Sequence, residues 1–185
     1  MIRYIKVYDQ VMGNMACNKM IKIFERADED RIKFHSAGSK FEEMIITDKS
    51  QLWGEYGHQL VNLYKSGLDI YRKDCGMKTN RQLPENLLME QFSMKKYVSN
   101  DPISKYRIHS DSNEKGMGNR FVTAMLYLST PEYGGETEFP SLNLKIKPIQ
   151  GSMILFPSSW TYMYSENPCK GNINKYTLTA FFRWI

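Results

Sequence analysis

The stretch Arg120-Phe-Val-Thr-Ala-Met-Leu-Tyr-Leu128 alternates two kinds of side chain over most of its length. One stripe is aliphatic and the other is mixed: Val122, Ala124, Leu126 and Leu128 alternate with Thr123, Met125 and Tyr127. A period of two is typical of a β-strand whose two faces meet different surroundings. We therefore predict a strand here with at least one face in the protein core.

Similar short patterns lie on both sides of this stretch. Strands are predicted at residues 105–108, 142–146, 152–156, 160–164 and 175–184. Pro- and Gly-containing turn signals separate them, as at 148–151, 157–159 and 167–171. About seven short strands with such turns predict a sandwich or barrel, and a small barrel has an interior that holds one small ligand.

The N-terminal part has a different period. Apolar residues recur there at spacings of three and four, which predicts amphipathic helices. The two stripes are Cys17, Met20, Ile21, Phe24 and Ala27, and Leu60, Val61, Tyr64, Leu68 and Tyr71. We predict a single domain over 1–185 of the α+β class and mainly β, with helical support from 1–85 packed outside a β core at 86–185.

Composition excludes several classes of protein. Apolar residues make up 42% of the chain and aromatic residues 13%, which is too much for a disordered protein. The net charge of +5 is scattered, which argues against a nucleic-acid partner. The absence of a long apolar run argues against a membrane partner. Three cysteines without a C-x-x-C pair indicate neither a disulfide framework nor a zinc site, so a reducing, cytoplasmic compartment is expected.

His109 and Asp111 are the first candidate site residues. They follow a predicted strand two positions apart, so both side chains point to the same face. An imidazole and a carboxylate in this arrangement are two of the three ligands of a 2-His-1-carboxylate Fe(II) site. An isolated H-x-D is more often a surface histidine hydrogen-bonded to an aspartate, so the surrounding motifs must decide between these interpretations.

Those motifs follow in a fixed order after His109-Ser-Asp111: the strand Arg120–Leu128, the turn Gly134-Gly-Glu-Thr-Glu-Phe-Pro140, the segment Gly151–Pro157 and the pair Lys175-Tyr176. Together they resemble the prolyl 4-hydroxylase-like branch of the 2-oxoglutarate and Fe(II)-dependent dioxygenases, in particular compact forms carried by large phages. The resemblance covers about residues 86–185 strongly and the N-terminal helices loosely. It implies a double-stranded β-helix of the jelly-roll or cupin type.

The resemblance also implies roles for individual residues. His109 and Asp111 are then the first two iron ligands. Lys175 and Tyr127 match residues that bind the distal carboxylate of 2-oxoglutarate, and Tyr97 matches a tyrosine that lines the pocket. Thr179 shares a strand face with Lys175 and is a further candidate contact.

The chain departs from the family pattern at the third iron ligand. Tyr164 stands where the family has a second histidine, and no histidine follows His109. Three outcomes remain open at this point: Tyr164 is a phenolate ligand, iron is held weakly by His109 and Asp111 alone, or the site holds no metal. An unperturbed phenol has a pKa near 10, but a metal cation stabilises its anion.

The function expected from the resemblance is Fe(II)- and 2-oxoglutarate-dependent hydroxylation of a proline in a peptide or protein, impaired by the tyrosine. Ascorbate is a further cofactor that this family allows, and a phage origin would place the protein in the host cytoplasm. Two alternatives stay open: an inactive family member that binds a peptide or 2-oxoglutarate, and an enzyme that hydroxylates a free amino acid or a nucleobase. The polar segment 112–119 beside Asp111 is predicted to be a mobile loop, which either closes over the substrate or is an ordinary surface connection.

Overall fold

The computed structural model describes residues 2–36, 38–46, 50–77, 83–84, 86–113 and 117–184. Over these residues the chain forms two α-helices, α1 (Asn14–Arg26) and α2 (Ser50–Asp74). The strands of the described residues are β1 (Lys6–Tyr8), β2 (Ile32–Ser36), β3 (Ser39–Ile45), β4 (Leu88–Met89), β5 (Ser93–Tyr97), β6 (Tyr106–His109), β7 (Arg120–Tyr127), β8 (Tyr133–Gly134), β9 (Thr137–Phe139), β10 (Leu144–Ile146), β11 (Met153–Pro157), β12 (Tyr164–Glu166), β13 (Cys169–Lys170) and β14 (Lys175–Arg183).

The strands form two principal antiparallel sheets. The larger has the order β1-β11-β7-β14-β5-β3-β2, with β4 paired to the end of β14. The smaller has the order β10-β9-β12-β6, and β13 pairs with β8 separately. Strand β14 pairs with β7 on one side and with β5 on the other, so it lies in the middle of the larger sheet.

The alternation along the strands separates two apolar clusters. One face of β7, β11 and β14 packs on both helices, through residues such as Leu126, Leu155 and Leu178 against Phe24 and Tyr64. The other face lies between the sheets in a smaller cluster, which contains Met125, Tyr127, Phe139, Ile154, Phe156 and Tyr164. Alternate residues of these strands thus contact the helices on one face and the space between the sheets on the other. The predicted mainly β fold with flanking helices is confirmed.

Three local predictions were wrong. The N-terminal part is not only helical, because β1, β2 and β3 join the larger sheet. Residues 160–162 form a 3-10 turn, so the strand predicted at 160–164 begins only at Tyr164. Likewise Pro140–Leu142 is a 3-10 turn that ends at Asn143 in a left-handed conformation, and the strand predicted at 142–146 begins at Leu144. Proline at the first position favours such a turn over an extended strand.

Within the described residues, neither helix combines the length and the apolar character that crossing a membrane requires. All three cysteines are buried as free thiols.

Candidate active site

His109 is the last residue of β6, and its own strand fixes its ring. Nδ1 lies 2.8 Å from the backbone carbonyl of Arg107. A carbonyl can only accept a hydrogen bond, so Nδ1 carries the proton and Nε2 presents its lone pair. Nε2 is buried and has no hydrogen-bond partner among the described residues. A histidine with a backbone-held Nδ1 and an open Nε2 has the arrangement of a metal ligand.

Asp111 lies two residues further, in a turn, and divides its two oxygens between different neighbours. Oδ2 accepts a hydrogen bond of 2.6 Å from Thr123, whose hydroxyl also contacts Ser158 at 2.9 Å. Oδ1 lies 3.5 Å from His109 Nε2. Two lone pairs facing each other are stabilised by a cation between them, and two ligands bound at about 2 Å to one ion lie roughly 3 to 4 Å apart.

Tyr164 completes this group of side chains from β12. It is registered directly opposite His109, and the two ring centroids are 4.4 Å apart. Its hydroxyl donates a hydrogen bond of 3.2 Å to Asp111 Oδ1. Burial, together with the negative charges of Asp111 and Glu166, raises the pKa of Tyr164 well above its usual value. In the absence of a cation the phenol is therefore neutral and acts as a donor.

These observations test the fit of an iron ion. His109 and Asp111 fit as ligands, since one offers an open nitrogen and the other an oxygen beside it. Across the described chain, however, no three His, Cys, Asp or Glu side chains come together as a metal site. Beside this pair lies the Tyr164 phenol, which is a weaker ligand than imidazole at neutral pH.

Arg120, at the start of β7, holds the Asp111 turn. Its guanidinium donates to the Asp111 carbonyl at 3.2 Å and pairs with the Glu90 carboxylate at 2.5 Å. It also lies over the Phe181 ring, 3.7 Å from the centroid. Three simultaneous contacts use the planar shape of arginine, which a lysine does not reproduce.

Lys175 is fully buried on the inner face of β14. Its ammonium pairs with the carboxylate of Glu166 and donates to the Gly135 carbonyl. The rings of Tyr97 and Tyr127 lie on either side, with centroids 5.5 and 5.7 Å from the nitrogen. The expectation that Lys175 faces an anion inside the barrel is met here by a carboxylate of this same chain.

Of the other candidate residues, Tyr97 and Tyr127 lie beside this lysine, whereas Thr179 is four residues further along β14 and does not contact it. Tyr127 donates a hydrogen bond of 2.7 Å to Thr137, which in turn donates to Glu166 at 3.0 Å. Tyr97 is registered opposite Lys175, and Thr179 is buried two positions beyond Thr177 on the same face of β14. The Thr177 hydroxyl is buried without a hydrogen-bond partner in the part of the chain described, which fits a polar ligand beside it.

A groove of about 760 Å³ opens over His109 and Asp111. One wall is aromatic: the Phe34 and Phe41 rings stack at 4.6 Å, and Tyr106 lies 5.0 Å from Phe41. Of the predicted loop at 112–119, residues 114–116 lie outside the described residues.

The site contains residues that were not predicted from the sequence, among them Thr123, Thr137, Ser158 and Glu166. Two of them carried a readable signal. Thr123 belongs to the same alternate stripe as Tyr127, and Glu166 lies two residues after Tyr164, so period two places each on the inner face. Thr137 and Ser158 depend on contacts between strands distant in sequence, which no local pattern indicates.

Comparison with known proteins agrees with this geometry. Residues 92–183 match the family model described as the 2OG-Fe(II) oxygenase superfamily. The chain belongs to this superfamily of dioxygenases, whose metal is Fe(II) and whose co-substrate is 2-oxoglutarate. No curated protein sequence matches the chain.

Several solved structures have the same fold. A viral collagen prolyl hydroxylase from Paramecium Bursaria Chlorella virus-1, solved as its 2OG complex, superposes with a TM-score of 0.73 at 18% identity and covers 98% of this chain and 97% of its own. A Pseudomonas putida prolyl-4-hydroxylase gives 0.68 at 18%, covering 98% and 92%. A Trichoplax adhaerens prolyl hydroxylase, in complex with a hypoxia inducible factor peptide fragment, gives 0.70 at 17%, covering 98% and 84%. These likenesses confirm the double-stranded β-helix.

Proposed function

We propose that this protein hydroxylates a proline in an extended peptide or protein segment. The observation that carries the proposal is the groove: its aromatic wall of Phe34, Phe41 and Tyr106 leads directly to the His109–Asp111 pair. Proline-rich segments bind aromatic-lined grooves as preformed extended helices. A volume of about 760 Å³ also suits several peptide residues better than one free amino acid.

His109 Nε2 and Asp111 Oδ1 are the proposed iron ligands, with the neutral Tyr164 phenol beside them as a hydrogen-bond donor. Lys175 and Tyr127 are proposed to bind the co-substrate, in a pocket bordered by Tyr97 and Thr179. When bound, iron and 2-oxoglutarate supply the oxidation, while the protein supplies geometry and a sheltered site. The chain's own contribution is to hold the imidazole by Arg107, the carboxylate by Thr123 and the turn by Arg120.

The cell compartment proposed is the cytoplasm. Three buried free thiols suit a reducing environment, where thiols persist without oxidation.

The proposal is tested by incubating the protein with Fe(II), 2-oxoglutarate and a proline-rich peptide, and by locating one added oxygen on proline by mass spectrometry. We expect hydroxylation by the parent and its loss in His109→Gln. His35→Gln is the matched control, because His35 is exposed on β2, and it retains activity. Peptide oxidised equally by His109→Gln and the parent would overturn the proposal.

A non-catalytic peptide-binding module is the second candidate. It is favoured by one observation, the phenol at Tyr164 where an imidazole ligand is expected. In the same experiment this candidate predicts that the peptide binds, measured by fluorescence anisotropy, while no oxygen is added and no succinate is released.

A further inference from the structure

A buried ion pair joins Lys175 on β14 to Glu166 on β12, and its two charges cancel. Lys175 is 0% exposed and Glu166 is 1% exposed, so neither charge reaches water. The ammonium contacts the Glu166 carboxylate and the Gly135 carbonyl. A buried cation requires a negative partner, and here Glu166 already provides it.

Glu166 is itself held in place from a second direction. The Thr137 hydroxyl lies 3.0 and 3.1 Å from the two carboxylate oxygens, and Tyr127 donates to Thr137. The carboxylate therefore has partners on two sides, one cationic and one hydroxylic. Lys175 contacts Glu166 directly, and Tyr127 is connected to it through Thr137. These are the two residues proposed to bind the distal carboxylate of the co-substrate.

We propose that Glu166 competes with the distal carboxylate of the co-substrate for Lys175, so that this chain discriminates against 2-oxo acids bearing a second negative charge. The inference rests on the proposed function for the placement of the co-substrate beside Lys175. Two carboxylates that share one ammonium in a buried site leave one negative charge unpaired, and the two like charges repel each other.

The Thr177 hydroxyl adds an uncharged polar group to the face of β14 that carries Lys175. The Thr177 hydroxyl lies two residues from Lys175 on the same face, is buried, and has no hydrogen-bond partner within the described residues. The uncharged Thr177 hydroxyl is therefore available for a hydrogen bond, whereas the Lys175 ammonium is already paired with Glu166. Because the cation is already paired with Glu166, a 2-oxo monocarboxylate forgoes no ion pair there, and we expect it to bind at least as well as 2-oxoglutarate.

The test compares two ligands of equal chain length on the full protein loaded anaerobically with Fe(II). Isothermal titration calorimetry gives the dissociation constants of 2-oxoglutarate and 2-oxopentanoate, which has a methyl group in place of the distal carboxylate. We expect the parent to bind 2-oxopentanoate as tightly as 2-oxoglutarate or more tightly. Glu166→Gln tightens 2-oxoglutarate binding by about tenfold or more, because it frees Lys175, and changes 2-oxopentanoate binding by less than about threefold.

Two further variants make the result specific. Glu138→Gln is the matched control on the neighbouring strand β9: Glu138 pairs with Lys145 and Asn167 and not with Lys175, so both dissociation constants stay unchanged. Adding Lys175→Met to Glu166→Gln removes the gain for 2-oxoglutarate, because the ammonium that the ligand would contact is gone.

The inference is overturned if the parent prefers 2-oxoglutarate by tenfold or more, or if a folded Glu166→Gln variant binds it no more tightly than the parent does. The comparison of ligands on the parent decides the matter even where Glu166→Gln fails to fold by circular dichroism. The peptide assay keeps the two proposals apart: tighter 2-oxoglutarate binding by Glu166→Gln without hydroxylation of any peptide sinks the proposed function and leaves this inference standing.

Discussion

Tyr164 is the direct cross-strand neighbour of His109, with ring centroids 4.4 Å apart, and its hydroxyl donates to the same Asp111 oxygen that lies 3.5 Å from the imidazole nitrogen. If His109 and Asp111 bind iron as proposed, this phenol stands where a third strong ligand would complete the site. Under that proposal the chain lacks one donor atom and not the scaffold that presents it.

Tyr164→His is expected to raise Fe(II) affinity by at least about tenfold, since it adds an imidazole at this position. Anaerobic metal titration measures the change. Tyr164→Phe is the control, because it removes the hydroxyl and adds no ligand, and it brings no gain. Equal affinities in the two variants would show that residue 164 does not reach the metal.

Thr123→Val is expected to weaken metal binding by roughly tenfold, because Asp111 Oδ2 loses its donor and the carboxylate is no longer oriented. Unfolding free energy falls by about 1 to 3 kcal/mol for the buried oxygen left without a partner. Thr161→Val, on the 3-10 turn at 160–162, is the control and leaves metal affinity unchanged. A Thr123→Val variant that is destabilised yet binds metal normally would assign Thr123 a purely structural role.

Lys175→Met is expected to lower the free energy of unfolding by about 3 to 5 kcal/mol, because Glu166 is left as an unpaired buried charge. The double variant Lys175→Met/Glu166→Leu recovers most of this loss, since it removes both charges. Urea unfolding of the four proteins in the cycle measures both effects. A double variant no more stable than Lys175→Met would contradict the assignment of the loss to the stranded carboxylate.

Gly151→Ala is expected to destabilise the protein by at least about 1 to 3 kcal/mol. Gly151 has a φ of +83°, and a Cβ there would lie 2.2 Å from the Met12 carbonyl oxygen. Gly57→Ala, inside α2 with nothing within 4 Å of the added carbon, stabilises it by about 0.5 to 1 kcal/mol. Thermal unfolding of both variants measures the opposite signs, and a tolerated Gly151→Ala would contradict the close approach.

Glu25 is expected to make stability depend on acid pH. Burial alone would raise its pKa, but hydrogen bonds from Tyr176 and Lys96 outweigh burial, and the pKa is lowered from 4.5. The contribution of a lowered carboxyl pKa is fully present above the unfolded value and is lost as the pH falls through the folded value. The difference in melting temperature between the parent and Glu25→Gln should therefore shrink as the pH is lowered below about 4.5. A difference that stays constant down to pH 3 would contradict this linkage.

The sequence predicted the two helices and the strands β7, β11 and β14 well, because their buried residues recur at regular spacing. It missed the short strands β1, β4, β5, β8, β9 and β13. It did not predict β3, whose buried residues Ser39, Phe41 and Met44 lack a period of two. Nor did it predict β2, a strand at the sheet edge with every residue exposed. Strands at an edge are fixed by their partner and not by a core face, so a local pattern carries little signal.

At the site, the H-x-D motif identified His109 and Asp111, and the family pattern showed that Tyr164 stands where a histidine is expected. The partner of Lys175 was missed, although Glu166 follows Tyr164 by two residues. The strand at this point was predicted to end at Tyr164, whereas it begins there. Glu166 therefore lay outside the predicted strand, and its side chain was not predicted to lie on the inner face of the barrel.

The pairing of Lys175 with Glu166 also bears on the stability of the protein without a ligand. An interior cation that waits for a metabolite makes folding depend on the supply of that metabolite, through mass action. Here the counterion is Glu166 of the same chain, so the charge of Lys175 is neutralised in the folded protein before any ligand binds.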